Sequence, residues 1–222
     1  MRKAIFVAVV LTFVAGPAMA DISINYGGTL VQPGELTSAV PGAIVDTFDG
    51  ATPAGWVYGG NRRIVTGPIS GEAGVPWYGV PDPTAYLAVP QDDLAGVDPE
   101  IATVYFGGLK STYLGLFWGS MDSYNEIRLY DGLSLVGTVT GDQASLDLIA
   151  QGNQGDYRDN AYVNIHSTVA FDNIALVSFG EFGGVSPYAF ELDNLAVVPV
   201  PGAVLLGMLG LSVVGVKLRK RA

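Results

Sequence analysis

The stretch Tyr113–Thr140, YLGLFWGSMDSYNEIRLYDGLSLVGTVT, decides the fold class. In Glu126–Tyr130, Ile127 and Leu129 fall on one parity and Arg128 and Tyr130 on the other, the alternation of a strand in a sheet that is wet on one side. Tyr113–Trp118 is apolar on both parities, with Leu114, Leu116 and Trp118 opposite Tyr113 and Phe117. Such a strand is either central and covered by a loop, or turns its outer aromatics toward a ligand. A third run, Leu135–Thr140, completes a series of short β-rich segments separated by Gly, Asn and Asp punctuation.

The same rhythm extends in both directions. Further strands are expected at Ala43–Phe48, Arg63–Thr66, Ala85–Val89 and Ile101–Phe106, then at Tyr162–Ile165, Ile174–Phe179 and Tyr188–Val197. Only Ser145–Ala150 reads as a helix, a short one that runs into the polar loop Gln151–Asn160. Without βαβ alternation a parallel sheet is not expected. The reading is all-β: an antiparallel β-sandwich, jelly-roll-like, over residues 43–197. Residues 21–42 form a lead-in with one short strand.

The two extremities are of another kind. Arg2 and Lys3 precede the apolar run Ala4–Ala15; Gly16-Pro17 breaks it, and Ala18-Met19-Ala20 puts small residues where a signal peptidase reads. Residues 1–20 therefore read as a cleaved signal helix for the Sec translocon and signal peptidase, with Asp21 as the new first residue. The alternatives are a buried helix or a membrane anchor, for which the run is short. At the other end Pro199-Val200-Pro201-Gly202 leads into Ala203–Val216 and then Lys217, Arg219, Lys220 and Arg221. At about 1.5 Å per residue this run spans about 21 Å, a marginal transmembrane helix whose basic end stays in the cytoplasm. A permanent single-pass anchor would have the same topology.

A Pro-x-Pro motif, a weak transmembrane helix and a terminal basic cluster, all within Val198–Ala222, resemble the PEP-CTERM sorting signal. Val200 stands where that family commonly has Glu. The resemblance implies recognition by an exosortase, a membrane transpeptidase, and delivery to the cell surface or extracellular matrix. The body is similar to one group of exosortase-dependent surface proteins over most of Val40–Val197. That likeness is carried by Asp46-Thr47-Phe48-Asp49-Gly50 with Pro53-Ala54-Gly55-Trp56 following, Tyr113–Ser120 leading into Asp122-Ser123-Tyr124-Asn125, the Leu-Val-Gly-Thr strand of Leu133–Gly141, and Ala189-Phe190-Glu191-Leu192-Asp193-Asn194. Trp118-Gly119-Ser120 and the Phe-Glu-x-Asp-Asn run are its most specific elements. It implies place and fold more than chemistry.

The chain has 11 basic and 21 acidic residues, but six of the basic ones lie in the two ends, so the body carries a net −16. Such a surface repels nucleic acid and anionic lipid, which excludes both as partners of the body. It suits an extracellular setting, although solubility alone would explain most of the acids. The absence of cysteine excludes disulfides, thiolate zinc sites and thiol catalysis.

Little points to an enzyme. His166 is the sole histidine, no Gly-x-Ser-x-Gly occurs, and Gly59-Gly60, Gly107-Gly108 and Gly183-Gly184 lack the Lys-Ser/Thr partner of a phosphate loop. An envelope glycan hydrolase would need two facing carboxyls, which a sequence cannot establish. No cofactor is required; calcium is the candidate. Glu191 and Asp193 share one face of the last strand, about 7 Å apart, with Phe190 and Leu192 on the other. If first and last strands lie side by side, Asp46 or Asp49 would join them around a hard cation. The alternative is a wet edge with solvated carboxylates, or a turn at Asp193-Asn194. Trp77 and Tyr78, in the Pro- and Gly-rich loop Gly71–Pro83, are the candidates for stacking on extracellular polysaccharide; Trp56 and Trp118 are assigned to the core.

Overall fold

A computed structural model describes residues 19–91, 99–179 and 189–201. Sixteen strands and one short helix occur among them. They are β1 Ile22–Tyr26, β2 Thr29–Gln32, β3 Glu35–Thr37, β4 Ile44–Asp46, β5 Val57–Gly60, β6 Arg63–Thr66, β7 Trp77–Tyr78 and β8 Val80–Pro81. There follow β9 Ala85–Val89, β10 Glu100–Tyr105, β11 Ser111–Gly119, β12 Asn125–Asp131, β13 Ser134–Thr140, α1 Gly141–Ala144, β14 Ala161–Phe171, β15 Asn173–Ser178 and β16 Phe190–Pro199.

Two antiparallel sheets make the sandwich. The larger runs β1-β14-β11-β16-β9-β6, with β4 also on β16; the smaller runs β13-β12-β15-β10-β5. Ile127 and Leu129 are fully buried while Arg128 and Tyr130 are half-buried, so β12 alternates as its sequence dictates. Gly132 (φ 58°) and Leu133 close the two-residue hairpin to β13. Gly at the first central position supplies the backbone that this turn requires.

The core lies between the sheets. Trp118 stacks on Phe190 (4.5 Å between centroids), and Trp56 meets Phe106 edge-on (4.9 Å). Both tryptophans are core residues, as assigned. β11 is central, and its second apolar face is covered: Tyr113 and Phe117 are buried, Phe117 packing with Leu36 and Tyr162. Of the two readings of that strand, the covered one holds.

Two expectations change. The lead-in holds three strands rather than one; β1 hydrogen-bonds along β14 as an edge of the larger sheet, and β2–β3 folds over its outer face. The helix is Gly141–Ala144, not Ser145–Ala150, because Thr140 caps its start through Gln143 and the chain leaves helical geometry at Ser145. The expected signal and transmembrane helices lie outside the described residues, as do Ala18, Gly202, Lys217, Arg219, Lys220 and Arg221. Among the described residues no helix is long and apolar enough to cross a membrane.

The register orients the molecule. Ile22 faces Ser167 in β14, and Pro199 faces Ser111, which also faces Phe171. Both the first strand's start and the last strand's end therefore lie at one pole. Tyr26, Ala161, Gly119 and Glu191 lie toward the opposite pole, about 26 Å away along β16 at about 3.3 Å per residue.

Candidate functional site

Three features gather on the outer side of the larger sheet, near the pole opposite the chain ends. The first is a groove of about 250 Å³ whose lining includes Tyr26, Tyr78 and Tyr157. These three are 38, 48 and 63% exposed, an unusual cluster of large aromatics facing water. Its buried wall includes Tyr162, Asn160 and Leu36. Asn160 is held rigidly: its side-chain oxygen accepts from Trp77 N (3.2 Å) and Ser120 N (3.1 Å), and its amide donates to the carbonyls of Asn153 (2.7 Å) and Asp156 (2.9 Å). The loop Gln151–Asn160 is thereby fixed, with Tyr157 on it. Gly28 lets the chain pass, since a Cβ there would lie 2.6 Å from the Thr37 carbonyl and 2.8 Å from the Tyr162 ring.

Of the two aromatics singled out in the sequence, Tyr78 lines this groove. Trp77 is half-buried and does not. Tyr26 and Tyr157 went unnoticed because they sit in the lead-in and in a polar loop. A lone tyrosine among Gln151-Gly-Asn-Gln-Gly-Asp-Tyr-Arg-Asp-Asn160 was the available signal: a costly side chain with no strand pattern to bury it.

The second feature is a cavity of about 260 Å³ beside Glu191, its lining including Gly74, Ser120, Asp122, Tyr124 and Gln154. Glu191 Oε1 accepts from Gly74 N (2.6 Å), while Oε2 and Ser120 Oγ have no hydrogen-bond partner among the described residues although both residues are buried. Burial drives the Glu191 carboxyl well above its usual range, and Asp122 adds to it. Burial likewise lifts Asp122 to about 6, against the hydrogen bond from Tyr124. Gly152 (φ 67°) packs on Asp122; a Cβ there would sit 2.2 Å from Oδ1.

The third is a buried carboxyl pair under the β2–β3 hairpin. Thr84 Oγ1 donates to Asp82 and lies 3.2 Å from Asp193 Oδ2, and Asn194 Nδ2 bridges Asp193 Oδ2 (3.1 Å) and Glu35 Oε1 (3.2 Å). Burial, then the Asp82 charge, pushes Asp193 up to about 9. Asp82 is also raised, chiefly by burial.

Glu191 and Asp193 do share the outer face of β16, with Phe190 and Leu192 in the core. Asn194 is not a turn but a bulge in left-handed conformation (φ 50°), so Leu192 and Leu195 both point inward. β4 does lie beside β16. The four acids nevertheless have separate partners. Asp46 accepts from Phe48 N (3.0 Å) and Tyr58 Oη (2.8 Å), and Asp49 from Ala85 N (2.9 Å), while Glu191 and Asp193 belong to different clusters. Among the described residues no three His, Cys, Asp or Glu side chains group closely enough to hold a metal ion between them. His166 is exposed, beside the Tyr113 ring (5.4 Å).

At the opposite pole, Ala20 N donates to the Val136 carbonyl (2.9 Å) and Asp21 N to Thr168 Oγ1 (2.9 Å). Pro199 ends β16, Val200 N donates to the Lys110 carbonyl (2.7 Å), and Pro201 is exposed. Comparison with family models, curated proteins and solved structures gives no match.

Proposed function

We propose that this chain is an exported surface protein whose jelly-roll-like sandwich holds a neutral polysaccharide at the pole remote from the start of β1 and the end of β16. The observation that carries the reading is the groove of Tyr26, Tyr78 and Tyr157 at that pole. Exposed aromatic faces offer apolar surface to the C–H face of a sugar ring, and the Asn160 region supplies a rigid wall. The net −16 of the body disfavours acidic polymers and favours uncharged ones. The protein acts as a binder or matrix component rather than an enzyme.

Delivery is read from the ends. The signal-like start and the PEP-CTERM-like tail would route the protein through the Sec translocon and signal peptidase to an exosortase, and so to the cell surface or matrix. Both ends leaving at one pole supports this reading, because a tether there would leave the groove facing outward.

Affinity electrophoresis in gels containing neutral or acidic polysaccharides tests the binding. Retention by a neutral glycan, reduced in Tyr78→Ala and Tyr157→Ala, is expected; no retention by any neutral glycan refutes it. Mass measurement of the native product tests the delivery: a first residue at Asp21 and loss of the basic tail are expected. A full-length chain with Met1 in the cytosol refutes it.

A further inference from the structure

We propose that the cavity formed by Ser120, Asp122, Tyr124 and Glu191 is a binding site for a hydrated calcium ion. The inference is independent of the glycan reading. Among the described residues, every ionisable side chain lining the cavity is an acid (Glu72, Asp122, Glu191) or a tyrosine, with no Lys, Arg or His. Arg63, on the neighbouring β6, is committed to Glu72 (2.7 Å). Of the three carboxyls that line the space, Glu72 is the one Arg63 neutralises; Asp122 and Glu191 face it with no cation of their own among the described residues, an arrangement that burial makes costly.

The unpartnered atoms point to the missing group. Glu191 is 2% exposed and Ser120 3%, yet among the described residues Glu191 Oε2 and Ser120 Oγ meet no donor or acceptor. Buried polar atoms are nearly always satisfied, so two orphans in one cavity mark a ligand position. Among the described lining residues the polar side-chain atoms are oxygens, apart from the Gln154 amide nitrogen, which can be turned away. That donor set suits a hard ion. The space exceeds a bare ion, so water completes the six to eight oxygens that calcium takes, whereas magnesium would demand a tighter octahedron. With two carboxylates the affinity belongs with weak extracellular sites, a dissociation constant on the order of 10⁻⁴–10⁻³ M. The ion would tie the last strand to the β11–β12 turn and, through Gly152 and Gln154, to the loop that carries Tyr157.

The test is a thermal melt and a calorimetric titration of the full chain, in chelator and in calcium chloride at about 5 mM, well above that affinity. Calcium is expected to raise the wild-type melting temperature. Glu191→Gln and Asp122→Asn should weaken binding by tenfold or more, and Ser120→Ala severalfold. Should a carboxylate variant fail to fold, Ser120→Ala carries the test, because it removes one hydroxyl that bonds to nothing. Asp193→Asn should keep the calcium response. Coincident wild-type curves overturn the proposal. So does a response lost in Asp193→Asn but kept in Glu191→Gln, which would put the ion at the other cluster. Glycan turnover abolished by Glu191→Gln and Asp122→Asn in a protein that ignores calcium would make the cavity a hydrolytic site, and overturns it as well.

Discussion

Replacing Asp193 by Asn should reverse in effect across the pH scale. An aspartate ordinarily titrates near 3.8, but here burial and the neighbouring Asp82 raise Asp193 to about 9. Between those values the folded state holds a proton that the unfolded chain has released. Stability is therefore greatest below about 4, falls as pH rises through the window, and levels off above about 9. The slope is up to about 1.4 kcal/mol per pH unit, so by pH 7 this carboxyl has cost up to about 4 kcal/mol. An amide of the same shape does not titrate, and it relieves Asp82 as well. It has a single acceptor oxygen, however, and Asp193 takes hydrogen bonds on both of its oxygens: Asn194 N at 2.6 Å on Oδ1, Asn194 Nδ2 on Oδ2. Loss of one costs about 1–3 kcal/mol. The variant should be less stable than wild type at pH 4 by that amount and more stable at pH 8. Urea unfolding at a series of pH values reads both limbs. Parallel curves for the two proteins would refute the reasoning, since they would mean that Asp193 titrates alike in the folded and unfolded chains.

Other outcomes follow from named contacts. Trp118→Ala removes a fully buried ring stacked on Phe190 and should cost about 3–5 kcal/mol in denaturant unfolding. Gly152→Ala places a side chain at φ 67° against Asp122, so it should lower the melting temperature by an amount equivalent to 1 kcal/mol or more, about the strain of that backbone region. Tyr157→Ala should leave the unfolding free energy within about 0.5 kcal/mol of wild type, because the ring is largely exposed. It should weaken neutral-glycan retention about 2–13-fold, the equivalent of about 0.5–1.5 kcal/mol of aromatic contact.

The strands were legible where alternation and punctuation coincide. Arg63–Thr66 and Ala85–Val89 match β6 and β9 residue for residue, and Glu126–Tyr130 lies within β12 with the expected faces. β5 was missed because Val57-Tyr58-Gly59-Gly60 reads as a turn. Its glycines are there because β10 packs close: a Cβ on Gly60 would lie 2.2 Å from the Ile101 carbonyl. Of the three lead-in strands only one was expected, because short strands such as β1, an edge carrying Ser23 and Asn25, have too little apolar surface to announce themselves.

The sequence alone determined the alternating strand faces, the opposite sides taken by Glu191 and Leu192, the core fate of Trp118 and the anionic body. Each of these depends on a period of two or on composition, which a chain displays without folding. Only the tertiary structure decided that Tyr26, Tyr78 and Tyr157 share a groove, that Asp122 meets Glu191 across a cavity and that Asp193 pairs with Asp82. Those partners are separated by between 52 and 131 residues, and what brings them together is sheet register and the closing of loops over one face, neither of which a local pattern encodes.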